Sequence, residues 1–244
     1  MRSAAPSDQP PPQNRDIVNA TSSTPRNGEL TEQLPGLFSA PSVPLPFVGG
    51  QQLRSYVIQA EQGPVVIYNT PGIDAASDAI QALGRPARQL VNHWHEEMYG
   101  TPQLGAPTFV HERDRRRTEK ALRIDGTFDR REKLGDDLEV IPSLAHTAGA
   151  SMFLWDNGEH RFLFPGDSFW NDNGTWRAVI LGESNRQAFI ETLELMRDLD
   201  FDILVPWAAR DDASAYELVT PQERTTQVNN LLARIRNGST GVSA

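Results

Sequence analysis

Short β-rich runs arranged in pairs limit the folds open to this chain more than any other feature. Residues 55–59 and 64–68 are separated by Glu61-Gln62-Gly63, and residues 151–155 and 161–164 flank Asp156-Asn157-Gly158. Tight-turn residues between β-branched and aromatic runs predict two hairpins. Further short strands are expected at 88–91, 107–110, 138–142 and 201–205. Three helices intervene. One runs from a cap at Asp74 through Leu83 to the stop at Gly84. A second carries Phe189, Leu193 and Met196 at helical spacing. The last has Thr220 as N-cap, Pro221 at the first position and Glu223 completing a capping box, with Val228, Leu231, Leu232 and Ile235 as its buried stripe. Hairpin sheets with interspersed helices predict an α+β protein whose sheets pack on each other under a cover of helices.

Residues 1–32 are polar and proline-rich, with too little apolar surface to offset their ordering entropy, and read as a disordered or loosely docked tail. Prolines continue to Pro46, so the segment through Leu37 and Val43 is expected to wrap the domain, residues 33–244, as an irregular arm. The net charge of −9 argues against a nucleic-acid partner. The densest basic patch, residues 113–117, is interrupted by Asp114 and reads as a solvated helical face. Cysteine is absent, which excludes thiolate ligands and a cysteine nucleophile. No apolar run approaches the ~20 residues of a membrane span, and no apolar leader follows Arg2, so a cytoplasmic protein acting on a small molecule is expected.

Chemistry-bearing residues stand just after the apolar runs. Leu90-Val91-Asn92 leads into His93-Trp94-His95-Glu96-Glu97-Met98, residues 138–142 lead to His146, and residues 161–164 lead to Asp167. In an extended segment side chains alternate, so His93 and His95 face the same way. Two imidazoles on one side can share a metal ion, and the neighbouring carboxylates can add a ligand or a base. His111 and His160 lack such context and are expected to be non-ligands.

Four segments resemble the metallo-β-lactamase-fold superfamily, over residues 53–209. Val65-Val66-Ile67-Tyr68-Asn69-Thr70-Pro71-Gly72 is similar to its early strand and turn, with Asn69 where an aspartate is usual. His93-Trp94-His95-Glu96-Glu97-Met98 resembles its His-x-His-x-Asp-His, Ala145-His146-Thr147-Ala148-Gly149 its Gly-His-Thr-x-Gly, and Phe164-Pro165-Gly166-Asp167 its strand ending in Gly-Asp. The resemblance implies an αββα four-layer sandwich with a metal site along one edge of the two sheets. It also implies that His93, His95 and His146 form the first metal site, with Asp167 matching the carboxylate that often bridges to a second ion. That second ion also needs an aspartate where Glu97 stands, and histidines where Met98 and Ala208 stand. Methionine beside imidazole is a poor ligand for Zn²⁺ or Fe²⁺ and alanine is none, so a single ion is expected.

One Zn²⁺ held by four protein ligands would be a closed site. Hydrolysis therefore requires Asp167 to stay outside its coordination. The leading expectation is a mononuclear hydrolase of an ester, thioester or amide, with Glu97, less so Glu96, as proton acceptor. The superfamily's persulfide dioxygenases offer an alternative: Fe²⁺ held by residues matching His93, His146 and Asp167. A third reading is a non-catalytic protein that kept the fold.

Overall fold

The computed structural model describes residues 28–46 and 48–238. The first half contains β1 (Thr31–Leu34), β2 (Leu37–Ser39), β3 (Val43–Pro44), β4 (Gln51–Leu53), the hairpin β5 (Tyr56–Ala60) and β6 (Gly63–Ile67), α1 (Gly72–Ala75), α2 (Ser77–Leu83), β7 (Arg88–Leu90), a 3₁₀ helix (Trp94–Tyr99), β8 (Thr108–His111), α3 (Glu112–Thr118) and β9 (Gly126–Phe128). The second half contains β10 (Glu132–Lys133), β11 (Leu138–Pro142), β12 (Ser151–Asp156), β13 (Arg161–Phe164), the ribbon β14 (Phe169–Asp172) and β15 (Thr175–Ala178), α4 (Arg186–Asp198), β16 (Ile203–Leu204), β17 (Ala208–Arg210), β18 (Glu217–Leu218) and α5 (Pro221–Arg236).

Seven strands form one sheet in the order β1-β2-β5-β6-β7-β8-β9, and six form the other in the order β10-β11-β12-β13-β16-β18. Period-two alternation sorts each strand's side chains between two cores. Ile58, Val65 and Ile67 from the first sheet meet Val140, Phe153, Trp155, Phe162 and Phe164 from the second. Val57 and Val66 turn outward, against Ile73 and Ile80 of α1 and α2. Met152, Leu154 and Leu163 turn outward in the other direction, against Phe189, Leu193 and Met196 of α4 and Val228, Leu231 and Leu232 of α5. These are the four layers of an αββα sandwich. Both hairpins form as expected, Ile58 opposite Val65 and Leu154 opposite Leu163. The capping box of α5 is present, with Thr220 and Glu223 exchanging hydrogen bonds.

Three details differ from the sequence reading. The segment from 31 to 44 is not an irregular arm: β1 and β2 extend the first sheet, and β3 joins β4 and β17 in a small third sheet. Its prolines sit at or between strand ends, where no ladder hydrogen bond is lost. The tail assigned to residues 1–32 lies outside the described residues up to 27, and Thr31 and Glu32 already pair with β2. Asp74 caps no helix. It lies inside α1, and its Oδ1 accepts a hydrogen bond from the Gln103 backbone N–H at 2.7 Å, while α2 starts without a side-chain cap.

The topology brings the chemistry-bearing residues to one edge. β6 runs parallel to β7, and β13 runs parallel to β16, so four chain segments leave the two sheets in a shared direction. Tyr68 joins three of them. Its buried hydroxyl donates to the Val205 carbonyl at 2.9 Å and accepts from the Gly166 N–H at 2.9 Å. Tyr68 holds φ +67°, an uncommon left-handed conformation for a bulky residue. Gly166, at φ +65°, leaves no room for a side chain, since a Cβ there would collide with Asn92.

Candidate metal centre

His93 retains the extended backbone expected of a strand end, but the chain then enters the 3₁₀ helix rather than continuing as a strand. His93 and His95 therefore meet through a turn, with ring centroids 4.9 Å apart, and not through alternation. The cause is Glu96. Its buried carboxylate accepts the backbone N–H groups of Asn69 at 2.6 Å, Asn92 at 2.8 Å and His93 at 3.3 Å, which folds the chain back on itself. Asn69 completes the fold. Its side-chain amide donates to the carbonyls of Glu96 and Gly100, both at 3.0 Å, which an ionised aspartate cannot do.

One nitrogen or oxygen from each of His93, His95, His146 and Asp167 lies within 4.8 Å of all the others. These are the four residues expected as ligands. Two of the outer nitrogens have an acceptor behind them. His95 Nε2 is 3.1 Å from Glu183 Oε1 and His146 Nδ1 is 2.9 Å from the Val179 carbonyl, whereas His93 Nδ1, 3.4 Å from Glu96 Oε1, makes no hydrogen bond among the described residues. An acceptor behind an imidazole fixes the proton on that side and leaves the other nitrogen as a lone pair. His95 Nδ1 and His146 Nε2 lie 3.1 Å apart. With protons on the outer nitrogens these two atoms would meet as lone pairs, an arrangement that a cation between them relieves.

The surrounding electrostatics suit a cation. Burial, reinforced by the neighbouring imidazoles, pushes His93 well below the usual histidine range. Burial and His146 push His95 down to about 4 despite Glu183. Neutral imidazole is the metal-binding form. His93 is fully buried, and neither of its ring nitrogens has a hydrogen-bond partner among the described residues. Burial raises the Asp167 pKa, opposed by His146, whose Nε2 is 3.4 Å away. Burial likewise pushes Glu96 up to about 8 against its three backbone donors. The donor set and its unsatisfied inner atoms fit a metal ion.

Glu97, expected as the proton acceptor, is half-buried, lies outside this group of four and makes no side-chain hydrogen bond among the described residues. Met98, on the same 3₁₀ helix, is 48% exposed. Ala208 is buried in β17, and the Trp207 ring packs 5.2 Å from that of His93. His111 caps α3 by accepting the Arg113 N–H, and His160 pairs with Asp202 at 2.7 Å, so neither joins the centre. Sequence reasoning missed Glu183 and the Val179 carbonyl. Both come from the segment between β15 and α4, where no periodicity marks them.

Fold and centre together define the metallo-β-lactamase fold, and solved structures bear this out. A metallo-β-lactamase from Pontibacter korlensis matches with a TM-score of 0.63 at 14% identity, over 86% of this chain and 99% of its own. Metallo-β-lactamase GOB-18 from Elizabethkingia meningoseptica matches at 0.56 and 16% identity, over 91% and 97%. An archaeal metallo-β-lactamase superfamily protein from Sulfolobus tokodaii matches at 0.54 and 17%, over 80% and 85%. No protein-family model and no curated protein matches the chain by sequence. No helix among the described residues is long and apolar enough to cross a membrane.

Proposed function

We propose that this protein is a mononuclear metal-dependent hydrolase of an ester, thioester or amide, with Zn²⁺ held by His93, His95 and His146. The observation that carries the reading is the close approach of His95 Nδ1 and His146 Nε2, 3.1 Å apart, with an oxygen acceptor beside the other nitrogen of each ring. When bound, the ion supplies Lewis acidity to a carbonyl oxygen and lowers the pKa of water in its open position to ~7. The protein points the imidazoles inward, keeps His93 and His95 neutral by burial, and excludes solvent from His93. Asp167 stands beside the three imidazoles, where a bound cation would favour its charged form against the burial that raises its pKa. Glu97 is the better proton acceptor of the two neighbouring acids, because Glu96 is committed to three backbone N–H groups.

The second reading, an Fe²⁺ oxygenase using His93, His146 and Asp167, draws support from the closeness of an Asp167 oxygen to the three imidazoles. Two measurements separate the readings. Reconstitution with Zn²⁺, Fe²⁺ or Mn²⁺ followed by elemental analysis should give about one ion per chain. Two tightly held ions per chain, or none, would sink the proposal. Asp167→Ala should then weaken Zn²⁺ binding about 10–100-fold if the carboxylate stands outside the coordination. Near-complete loss of Fe²⁺ binding with little activity toward esters would favour the oxygenase instead.

A further inference from the structure

Asp114 is out of place on its helix. α3 is short and rich in arginine, yet Asp114 is 1% exposed. Its carboxylate makes three hydrogen bonds with uncharged donors. Oδ2 accepts the Trp94 backbone N–H at 3.1 Å and the Thr147 hydroxyl at 2.5 Å, and Oδ1 accepts the Gly149 N–H at 2.9 Å. Two nearby arginines are engaged elsewhere, Arg115 with Glu119 and Arg117 with Glu183. Asp114 makes no ion pair among the described residues, and a buried carboxylate paired only with neutral donors is a costly way to stabilise a fold.

Its three donors stand in telling places. Trp94 lies between His93 and His95, and Thr147 directly follows His146. One carboxylate thus grips both ligand-bearing segments, which belong to opposite sheets. Gly149 makes the grip close. A Cβ at that position would lie 2.7 Å from the Asp114 carboxyl carbon and 2.7 Å from its backbone nitrogen, so only glycine allows this approach.

We propose that Asp114 is a positioning residue of the metal centre, setting the separation of the His93–His95 turn from the His146 loop. The inference rests on the metal-centre reading above. It goes beyond that reading by assigning part of the site's affinity to a residue that touches no ion. The spacing of His95 Nδ1 and His146 Nε2 is what the grip controls, because each ring is one or two residues from a bond to Asp114.

The test compares Zn²⁺ affinity, by competition with a chromophoric chelator, and the Co²⁺ absorption spectrum, with the melting temperature of the metal-free protein. Asp114→Ala should weaken Zn²⁺ binding about 10–100-fold and shift the Co²⁺ bands. Thr147→Val, which removes one of the three bonds, should do so less. Asp114→Asn should fall between them, because its amide N–H₂ must face one of the donors. Ile80→Ala is the control, a fully buried side chain of α2 in the outer core with Val57, Val66 and Ile73, none of which belongs to either ligand segment. It should lower the melting temperature while leaving affinity and spectrum unchanged. If Asp114→Ala behaves like Ile80→Ala, the positioning role is overturned and the metal centre stands. If the unmodified protein binds neither Zn²⁺ nor Co²⁺, both readings fall together. Should Asp114→Ala not fold, Asp114→Asn and Thr147→Val decide, and unchanged affinity in both overturns the inference.

Discussion

Glu183 lies 88 residues beyond His95 in the chain, yet its carboxylate sits 3.1 Å from His95 Nε2 and favours a proton on that nitrogen. Arg117 pairs with the same carboxylate while its guanidinium packs 4.8 Å from the Trp94 ring centre. The three residues hold His95 from the solvent side, while Glu96 holds the His93 backbone from the interior. Glu183→Ala should therefore lower Zn²⁺ affinity about 10-fold, at the small end of what losing an orienting partner costs a ligand. Glu183→Gln should lose less, since its amide oxygen still accepts the Nε2 proton. Chelator competition measures both, and equal affinities for all three proteins would remove Glu183 from the account. All four members of the clustered group, His93, His95, His146 and Asp167, were legible in sequence because each follows an apolar run. Their partners were not. A loop carboxylate and a backbone carbonyl leave no pattern, and Glu96 was readable only as a spare acid beside two histidines.

At the scale of elements, legibility followed periodicity and turn chemistry. The two hairpins and α5 were plain, since alternating runs and a capping box are local signals. The strands between 31 and 44 were hidden by their prolines, and the 3₁₀ helix by a carboxylate captured through tertiary contacts. The strand β18 shows another non-local effect. Glu217 accepts the Trp176 indole N–H at 3.0 Å, which ties the β14–β15 ribbon to the edge of the second sheet. Burial raises the Glu217 pKa above 4.5, opposed by Trp176 and Asn171. A carboxyl with a raised folded-state pKa is favourable while protonated in both states. That contribution is present below the unfolded value and lost as pH rises through the folded one. Glu217→Gln, which cannot ionise, should therefore gain stability relative to the parent as pH rises from about 4 toward 7. Urea unfolding midpoints across that range report it, and a difference that stays flat with pH would contradict the assignment.

For the whole molecule, the sheet-to-sheet core is also the foundation of the site. Phe164 packs edge-on against Tyr56 and Tyr68, at 6.1 and 6.2 Å between ring centres, on the strand that leads to Asp167. Phe164→Ala should cost about 3–5 kcal/mol of stability, the usual range for a buried aromatic truncated to alanine. It should also loosen Zn²⁺ binding, as judged by urea denaturation together with the chelator assay. Intact affinity beside a large loss of stability would separate the core from the centre.

The Tyr68 hydroxyl bridging Gly166 and Val205 bears on how the protein is made. His93 and His95 emerge from the ribosome roughly 70 residues before Asp167, an interval of about 4–14 s at ordinary rates of translation. Throughout that time the bridge has neither partner, and the first two imidazoles lack their third and fourth companions. Two histidines alone make a weak, unselective chelate. On the metal-centre reading above, a selective site can therefore assemble only once the chain has been made through Val205.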